Sequence, residues 1–276
     1  MAYPMHSDEK LERLVGWFRE HGSAVIAFSG GVDSSVVAAA AHIALGDRAL
    51  AVTAESSTLS KRELSLAKRV AREIGIRHLV IREDELEDER FAANPENRCY
   101  YCRSRLALAL KEIARRESFG VIADGANVSD TREHRPGLKA LKEHGIRSPL
   151  LELGFDKGDV REIAAQLKLS VKDKPAMACL ASRIPYGERI TRDKLEKVEK
   201  GEAFFFERGF TNVRIRMHGN LARVELPQEE IALALQLRRE IVAHLKALGF
   251  AYVTLDLEGY RSGSMDEVLR LRELRS

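Results

Sequence analysis

One stretch of sequence decides the fold of this 276-residue chain: Ala24-Val25-Ile26-Ala27-Phe28-Ser29-Gly30-Gly31-Val32-Asp33-Ser34-Ser35. The apolar run at its start predicts a buried strand. Two glycines then end the run, and the Val- and Ala-rich residues that continue to Leu45 predict a helix. A strand, a glycine-rich loop and a helix therefore follow one another directly.

The loop between this strand and this helix has the properties of an anion-binding site. Where a parallel strand leads into a helix, several backbone N–H groups and the positive end of the helix dipole converge on one point. Gly30 and Gly31 let the backbone approach an anion closely, and hydroxyl donors come from Ser29, Ser34 and Ser35. We expect the loop to bind phosphate.

Asp33 is the charged residue of this loop. A bound phosphate would repel its carboxylate unless a divalent cation lay between them, so we expect Asp33 to help hold Mg²⁺ and to act in catalysis. The loop has neither the Gly-Lys-Ser/Thr ending that holds a γ-phosphate nor the G-x-G-x-x-G pattern of dinucleotide-binding proteins. Those two common classes of nucleotide site are therefore excluded.

The alternation of strand and helix continues along the first two thirds of the chain. Further strands are predicted at 48–53, 77–81 and 120–123, and helices at 7–21, 60–74 and 103–117. Strands that alternate with helices form a parallel sheet with helices on both faces. We therefore predict an α/β nucleotide-binding domain over residues 1–185.

The pattern changes after about Pro185. A predicted helix is followed by two alternating segments around His218-Gly219-Asn220, which predict a hairpin, and then by a long helix and a last strand. The predicted ranges are 191–208, 212–217, 221–226, 228–248 and 252–257. Residues 186–276 are therefore predicted to form a smaller α+β domain.

Composition narrows the class of protein further. With 45% hydrophobic and 32% charged residues, the sequence predicts a soluble globular protein. No apolar run approaches the roughly 18 residues of a membrane helix, and residues 1–10 lack the apolar core of a signal peptide. We expect a cytoplasmic protein with no membrane partner. The net charge of +3 forms no basic tail, so nucleic acid is not the expected partner.

Three cysteines are an odd number, and disulfides are rare in a reducing compartment. Cys99 and Cys102 form a C-x-x-C pair within reach of one metal ion, and Cys179 is the third thiol. The residues alone leave several interpretations open: ordinary buried cysteines, a thiol-redox pair, or a zinc site completed by His134 or His144.

The motif Ser-Gly-Gly-x-Asp-Ser after the first strand resembles that of the PP-loop ATP pyrophosphatases. The resemblance implies a PP-loop domain over residues 1–185 that cleaves ATP between its α- and β-phosphates. This cleavage would leave AMP on the substrate and pyrophosphate in the loop. Ala54, after the second strand, lies where such proteins receive the adenosine. The superfamily includes tRNA thiolases and ammonia-dependent amide ligases of the NAD synthetase type, so this motif leaves the substrate open.

Further motifs across nearly the whole chain resemble the LarE family of ATP-dependent sulfur transferases, which make the nickel-pincer nucleotide of lactate racemase. The resemblance implies a small-molecule substrate, pyridinium-3,5-biscarboxylic acid mononucleotide. One of its carboxylates would be adenylated and converted to a thiocarboxylate. The matching segments are Ser29–Ser35, Ala123–Asp130, Ser148–Leu150 with Lys157, Cys179–Arg183 and Val213–Gly219.

The same resemblance implies how sulfur is delivered. In family members with a single reactive cysteine, the thiolate that matches Cys179 becomes a thioester, and cleavage of its C–S bond leaves dehydroalanine. This sequence departs from that pattern because it adds Cys99 and Cys102. Members with three such cysteines are held to carry a [4Fe-4S] cluster, whose open iron holds a sulfide from an external donor. We expect Cys99, Cys102 and Cys179 to bind this cluster.

Three arginines are candidates for holding the substrate's phosphate or carboxylate. Arg214 and Arg216 stand two apart in a predicted strand and should face the same side, and Arg183 belongs to the Cys179 segment. Glu202 and Glu225 are weaker candidates for a metal or proton role, and we expect both to be ordinary surface charges.

Asp124, Gly125 and Asn127 follow the fourth predicted strand, at the sheet edge where ligands collect, and are expected to bind the nucleotide. The acidic residues from Glu83 to Glu89 are expected to form a solvated loop or helix face. The family resemblance implies that residues 186–276 bind substrate or form the contacts of a homo-oligomer. A tRNA thiolase usually brings RNA-binding domains or a basic surface, and the sequence indicates neither.

Overall fold

The structure, a computed structural model, describes residues 7–132, 136–175, 178–261, 263–265 and 267. The chain divides into two compact units. The first consists of Met1–Phe91 with Asn97–Met177, and the second of Ala92–Glu96 with Ala178–Ser276. The boundary at residue 185 and the role given to residues 186–276 stay predictions.

The first unit contains a four-stranded parallel sheet in the order β3-β2-β1-β4. Its strands are β1 (Ala24–Ala27), β2 (Ala49–Glu55), β3 (Arg77–Arg82) and β4 (Val121–Ala123). Its helices are α1 (Ser7–His21), α2 (Val32–Leu45), α3 (Lys61–Ile74), α4 (Glu89–Ala92), α5 (Arg98–Arg116), α6 (Pro136–Glu143), α7 (Pro149–Glu152) and α8 (Lys157–Gln166), with α4 ending at the first residue of the second unit.

Strand β1 is central because it pairs in parallel with β2 on one side and with β4 on the other. Its residues are all buried, and they alternate between two apolar clusters. Ile26 belongs to a cluster with Phe18 of α1 and Val36 of α2. Val25 belongs to the opposite cluster, with Leu110 of α5. The prediction of an α/β sheet covered by helices on both faces is therefore confirmed.

Helix α5 begins at Arg98, five residues before the predicted start at residue 103. The first turn contains two tyrosines, and because tyrosine favours strands, the sequence pattern did not predict a helix there. A tertiary contact supports the extra turn, since Tyr100 Oη donates to Glu143 Oε2 of α6 at 2.6 Å. The earlier start places Cys99 and Cys102 one helical turn apart on the same face.

The second unit is a small α+β structure, as predicted. Its sheet has the order β5-β6-β7, in which β5 (Arg214–His218) and β6 (Leu221–Glu225) form an antiparallel hairpin and β7 (Tyr252–Leu255) is parallel to β6. Gly201 of α9 (Arg192–Glu207) packs against β5, because a Cβ there would lie 2.5 Å from Ile215 Cδ1. The predicted helix at 228–248 is divided into a 3₁₀ turn (Gln228–Glu230), α10 (Ile231–Gln236) and α11 (Arg238–Ala247).

Within the described parts of both units, none of the helices has the length and apolar character required to cross a bilayer.

Candidate active site

The loop after β1 is pressed against helix α3. Gly30 has φ +70°, and a Cβ at this position would lie 2.7 Å from the Cα of Ala67. Both the backbone conformation and the lack of space require glycine here. The loop therefore has a fixed position at the carboxyl end of the sheet, where parallel α/β sheets bind ligands.

The serine hydroxyls of this loop hydrogen-bond with one another and with the backbone. Ser34 Oγ accepts from Ser29 N at 3.3 Å and lies 3.1 Å from Ser29 Oγ. Ser34 Oγ and Ser35 Oγ donate to Gly31 O at 3.2 and 2.7 Å. In the described residues, α2 has no side-chain cap at Gly31, so its first-turn N–H groups and its dipole are directed at the loop. This arrangement can bind an anion.

Asp33, in the first turn of α2, has partners from two distant segments. Its Oδ2 accepts from Lys157 Nζ, at the start of α8, at 2.7 Å, and its Oδ1 accepts from Asn127 Nδ2 at 3.2 Å. The Asp33 side chain is 24% exposed to solvent. A partly exposed carboxylate beside an anion site fits a Mg²⁺ ligand, because Mg²⁺ binds through one or two carboxylates together with substrate phosphates.

The segment after β4 lies directly against the loop. A Cβ on Gly125 would come within 2.8 Å of Ser34 N. Asn127 is fully buried, and its Oδ1 accepts from Ser129 N at 2.9 Å. Gly125, Asn127 and Asp33 are thus brought together. Lys157, which donates to Asp33, was not predicted as a site residue. The sequence signal that could have identified it is its occurrence with Ser148–Leu150 in a segment that resembles the LarE family.

Asp124 is buried at the end of β4. Burial raises the pKa of its carboxyl, while hydrogen bonds from the Ser148 side chain and from Ala126 N act in the opposite direction. The Ala126 bond to Asp124 Oδ1 is 3.1 Å long, so Asp124 shapes the turn that carries Asn127. Ala54 is half-buried near the end of β2. Nucleotide binding by Asp124 and Ala54 stays a prediction.

The two cysteines of α5 differ in their surroundings. Cys99 is exposed, whereas Cys102 is half-buried, and its Sγ donates to Glu85 Oε1 at 3.7 Å. Thr58 Oγ1 donates to the same oxygen at 3.2 Å. Burial raises the pKa of Glu85. The prediction that the whole acidic segment is solvated is therefore wrong for Glu85, whose side chain turns inward beside Cys102.

Cys179 lies in the second unit, directly before a 3₁₀ turn (Leu180–Arg183), and is exposed. Its carbonyl accepts from Ser182 Oγ at 2.9 Å and from Arg183 Nη1 at 3.0 Å. These bonds fix the backbone and leave the thiol accessible.

The three cysteines predicted to bind metal are divided between the two units. All three cysteines are described and none forms a disulfide. Cys99 and Cys102 belong to the first unit and Cys179 to the second. Among the described residues, no group of three or more His, Cys, Asp or Glu could hold a metal ion. Of the two histidines considered for zinc, His134 lies outside the described residues.

Arg183 forms a buried ion pair with Glu202. Its Nε and Nη2 donate to the two carboxylate oxygens at 2.8 and 3.0 Å, in a bidentate arrangement. Glu202 Oε1 also accepts from Ile215 N at 3.0 Å. Glu202 is 4% exposed, so the prediction of a surface charge at this position is wrong.

Arg216 forms a second buried pair with Glu225, which is 0% exposed. The Arg216 Nε and Nη2 atoms donate to Glu225 Oε2 at 3.0 and 2.8 Å, and Nη1 donates to Ser182 O at 3.0 Å. Ser264 Oγ and Arg223 Nη2 donate to Glu225 Oε1 at 2.8 and 3.1 Å. The prediction that Glu225 is a surface charge is therefore also wrong. The guanidinium of Arg216 stabilises the negative charge of Glu225 in the interior.

Arg214 is the third buried guanidinium of the second unit, at 1% exposure. It donates to Asn212 Oδ1 at 3.0 Å and to Val213 O at 2.8 Å, and its Cζ lies 5.2 Å from the Tyr260 ring centre. Burial and the positive charge of Arg183 lower the pKa of Arg214. In the described part of this unit, the three predicted arginines are therefore accompanied by two buried carboxylates, Glu202 and Glu225.

Comparisons with known proteins find a family model that covers the loop after β1 and relatives that cover most of the chain. The model of the asparagine synthase family matches residues 18–116, which include β1, the loop and α2. An uncharacterised protein of Synechocystis, slr1717, is 46% identical over 95% of this chain and 98% of its own length.

Two further relatives extend over most of the chain. The pyridinium-3,5-bisthiocarboxylic acid mononucleotide synthase of Lactiplantibacillus plantarum is 36% identical over 96% of each chain. The uncharacterised protein MJ0830 of Methanocaldococcus jannaschii is 30% identical over 86% of this chain and 90% of its own length. The similarity therefore extends well beyond the nucleotide loop.

Proposed function

This chain belongs to the family of the pyridinium-3,5-bisthiocarboxylic acid mononucleotide synthases, and we propose that it converts a carboxylate of pyridinium-3,5-biscarboxylic acid mononucleotide into a thiocarboxylate at the expense of ATP. Support comes from the 36% identity over 96% of both chains and from the match to an ATP-using family model around the loop. The product would serve the nickel-pincer cofactor that the family resemblance implies.

The observation that carries the proposal is the set of groups at the loop after β1. The hydroxyls of Ser29 and Ser34 lie beside the start of α2, and the Asp33 carboxylate accepts from Lys157 Nζ at 2.7 Å. These groups fit the phosphates of ATP and an accompanying Mg²⁺. In the second unit, the buried guanidinium groups of Arg183, Arg214 and Arg216 would be candidates for holding the phosphate or a carboxylate of the substrate.

The first unit would activate the substrate carboxylate. A carboxylate oxygen attacks the α-phosphorus of ATP, the bond to the β-phosphate breaks, and an acyl adenylate and pyrophosphate result. The N–H groups at the start of α2 and the hydroxyls of Ser29, Ser34 and Ser35 would hold the pyrophosphate. Asp33 would hold the accompanying Mg²⁺, which offsets phosphate charge. Lys157, 2.7 Å from Asp33 Oδ2, would add positive charge at the same place.

Sulfur delivery would centre on Cys179. In the sacrificial route, the Cys179 thiolate attacks the acyl carbon and AMP leaves. A base then removes the Cα proton of Cys179, and the C–S bond breaks to give the thiocarboxylate and dehydroalanine. Cys99, Cys102 and Cys179 are thiols of the type that binds a [4Fe-4S] cluster, and such a cluster would supply an open iron for an external sulfide. We favour the cluster route because this chain has all three thiols.

One experiment separates this function from its rivals. Anaerobically purified protein is incubated with ATP, Mg²⁺ and sulfide, together with either the pyridinium mononucleotide or bulk tRNA, and the products are analysed by mass spectrometry. We expect sulfur only in the pyridinium compound. Thiolated tRNA would indicate a tRNA thiolase, and an amide formed when ammonia replaces sulfide would indicate an amide ligase. Either result would overturn the proposal.

A further inference from the structure

A chain of hydrogen bonds connects β3 to the loop that follows β1. Thr53 Oγ1, on β2, donates to the backbone carbonyl of Phe28 at 2.7 Å. On the far side of Thr53, His78 Nε2 of β3 lies 2.8 Å from the same Oγ1. Phe28 directly precedes Ser29, so the chain of bonds ends at the first peptide of the loop.

The direction of these bonds follows from the number of hydrogens. The Thr53 hydroxyl has one hydrogen, which it donates to Phe28 O, so its oxygen accepts from His78. His78 Nε2 must therefore carry a hydrogen. Burial and the positive charge of Lys68 lower the pKa of His78, so the neutral imidazole is favoured, in its Nε2–H form. The Phe28 ring packs edge-on against this imidazole, with centroids 5.6 Å apart.

The peptide between Phe28 and Ser29 is held at both of its polar atoms. Its oxygen accepts from Thr53, and its N–H donates to Ser34 Oγ at 3.3 Å. Ser34 Oγ in turn lies 3.1 Å from Ser29 Oγ and donates to Gly31 O at 3.2 Å. Rotation of this one peptide would therefore shift the loop hydroxyls and the Gly31 carbonyl together.

We propose that His78 is a positioning residue for the pyrophosphate loop and acts through Thr53. The proposal rests on the proposed function, since it takes the phosphates of ATP as the ligand of this loop. His78 lies two strands away from β1, and its imidazole Nε2 donates to Thr53 Oγ1. Its effect on ATP binding is therefore transmitted by the Phe28–Ser29 peptide, which needs Thr53 in one fixed rotamer to stay in place.

The test compares His78→Leu with His78→Gln. ATP affinity is measured calorimetrically with Mg²⁺ and without the carboxylate substrate. Loss of one hydrogen bond predicts that His78→Leu weakens ATP binding by about three- to tenfold. The amide of His78→Gln can still donate and should restore the affinity to within about twofold of the wild type. In steady-state pyrophosphate release, the KM for ATP should rise in His78→Leu, with kcat changed less than about twofold.

A double-mutant cycle tests transmission through Thr53. Thr53→Val removes the hydroxyl at nearly constant volume and should weaken ATP binding as His78→Leu does, whereas Thr53→Ser keeps the hydroxyl and should not. In the Thr53→Val background, His78→Leu should cause no further loss. His42→Leu, which changes a half-buried histidine in the last turn of α2, is the control and should leave ATP affinity unchanged.

Two results would overturn the inference alone: wild-type ATP affinity in His78→Leu, or an undiminished effect of His78→Leu in the Thr53→Val background. A wild-type protein that binds no ATP would overturn the proposed function together with the inference. The two failures are therefore distinguishable.

Discussion

Lys157 and Asp33, 124 positions apart in the sequence, form an ion pair of 2.7 Å between Nζ and Oδ2 at the nucleotide loop. Asn127 holds the other carboxylate oxygen at 3.2 Å. The pair joins the first turn of α2 to the first residue of α8. It places a cation next to the carboxylate that is proposed to hold Mg²⁺, so the loop combines groups of both signs before a nucleotide arrives.

Replacement of Lys157 should impair adenylation. Lys157→Met removes a cation that would face pyrophosphate, and the loss of one charge-assisted contact predicts a decrease of about 10- to 100-fold in kcat/KM for pyrophosphate release. A coupled pyrophosphate assay measures this. Lys142→Met, at an exposed lysine of α6, is the control and should behave as the wild type. Unchanged kinetics in Lys157→Met would remove this lysine from the phosphate site.

Changes to the cysteines should separate activation from sulfur transfer. Cys179→Ala removes the thiol but leaves the loop and its ion pair in place, so pyrophosphate release should continue while thiocarboxylate formation stops. Both products are measured in the same reaction, the first enzymatically and the second by mass spectrometry. Sulfur transfer at the wild-type rate in Cys179→Ala would show that another sulfur source is used.

Cys99→Ala should distinguish the two sulfur routes. Without one cluster ligand, the anaerobically purified variant should lose iron and its iron–sulfur absorbance, and it should transfer at most one sulfur per chain. After that single turnover, the intact protein should be lighter by the mass of one H₂S, because Cys179 has become dehydroalanine. Multiple turnovers with sulfide in an iron-free, colourless protein would contradict the cluster route.

The buried pair Arg183–Glu202 should be sensitive to the loss of either partner. Removing one charge of a buried pair typically costs about 3–5 kcal/mol, so Glu202→Gln should lower the free energy of unfolding by an amount of this order. Urea denaturation measures the change. Glu196→Gln, which breaks the exposed pair with Lys200 on the same helix, should change stability by less than about 1 kcal/mol. Equal effects of the two variants would contradict the burial argument.

Stability should depend on pH through Asp124. Its pKa is raised by burial above the ordinary value of 3.8, so the folded state binds this proton more tightly than the unfolded state. As pH rises from 3.8 to the raised pKa, wild-type protein therefore loses stability that Asp124→Asn does not lose. The unfolding free energy of Asp124→Asn relative to the wild type should increase over this range. A pH-independent difference in urea denaturation would disprove the assignment to Asp124.

Local sequence pattern predicted the parallel sheet and the loop because both depend on neighbouring residues. The apolar run of β1, the paired glycines and the serines lie within twelve consecutive positions. The buried ion pairs join more distant residues: Arg183 and Glu202 are 19 positions apart, and the first lies in a turn outside the helix of the second. The sequence therefore contained no sign that Glu202 and Glu225 pair with arginines, and each glutamate was predicted to be exposed.

The same limit applies to Glu85, which belongs to an acidic segment whose composition is typical of a surface. Its burial is set by Thr58 and Cys102, which approach from other parts of the chain. The start of α5 was missed for a related reason, since Tyr100 is held by Glu143 of α6. Periodicity identifies the elements, and contacts between elements decide which polar residues enter the interior.

The close packing of the nucleotide loop against α3 has a consequence for the folding of the first unit. The contact of Gly30 with Ala67 exists only in the folded form, and any ligand that binds the folded form alone shifts the folding equilibrium toward it as the ligand concentration rises. The nucleotide would then act as a thermodynamic partner of this unit's fold. The amount of intact protein would in that case depend on the nucleotide as well as on the sequence.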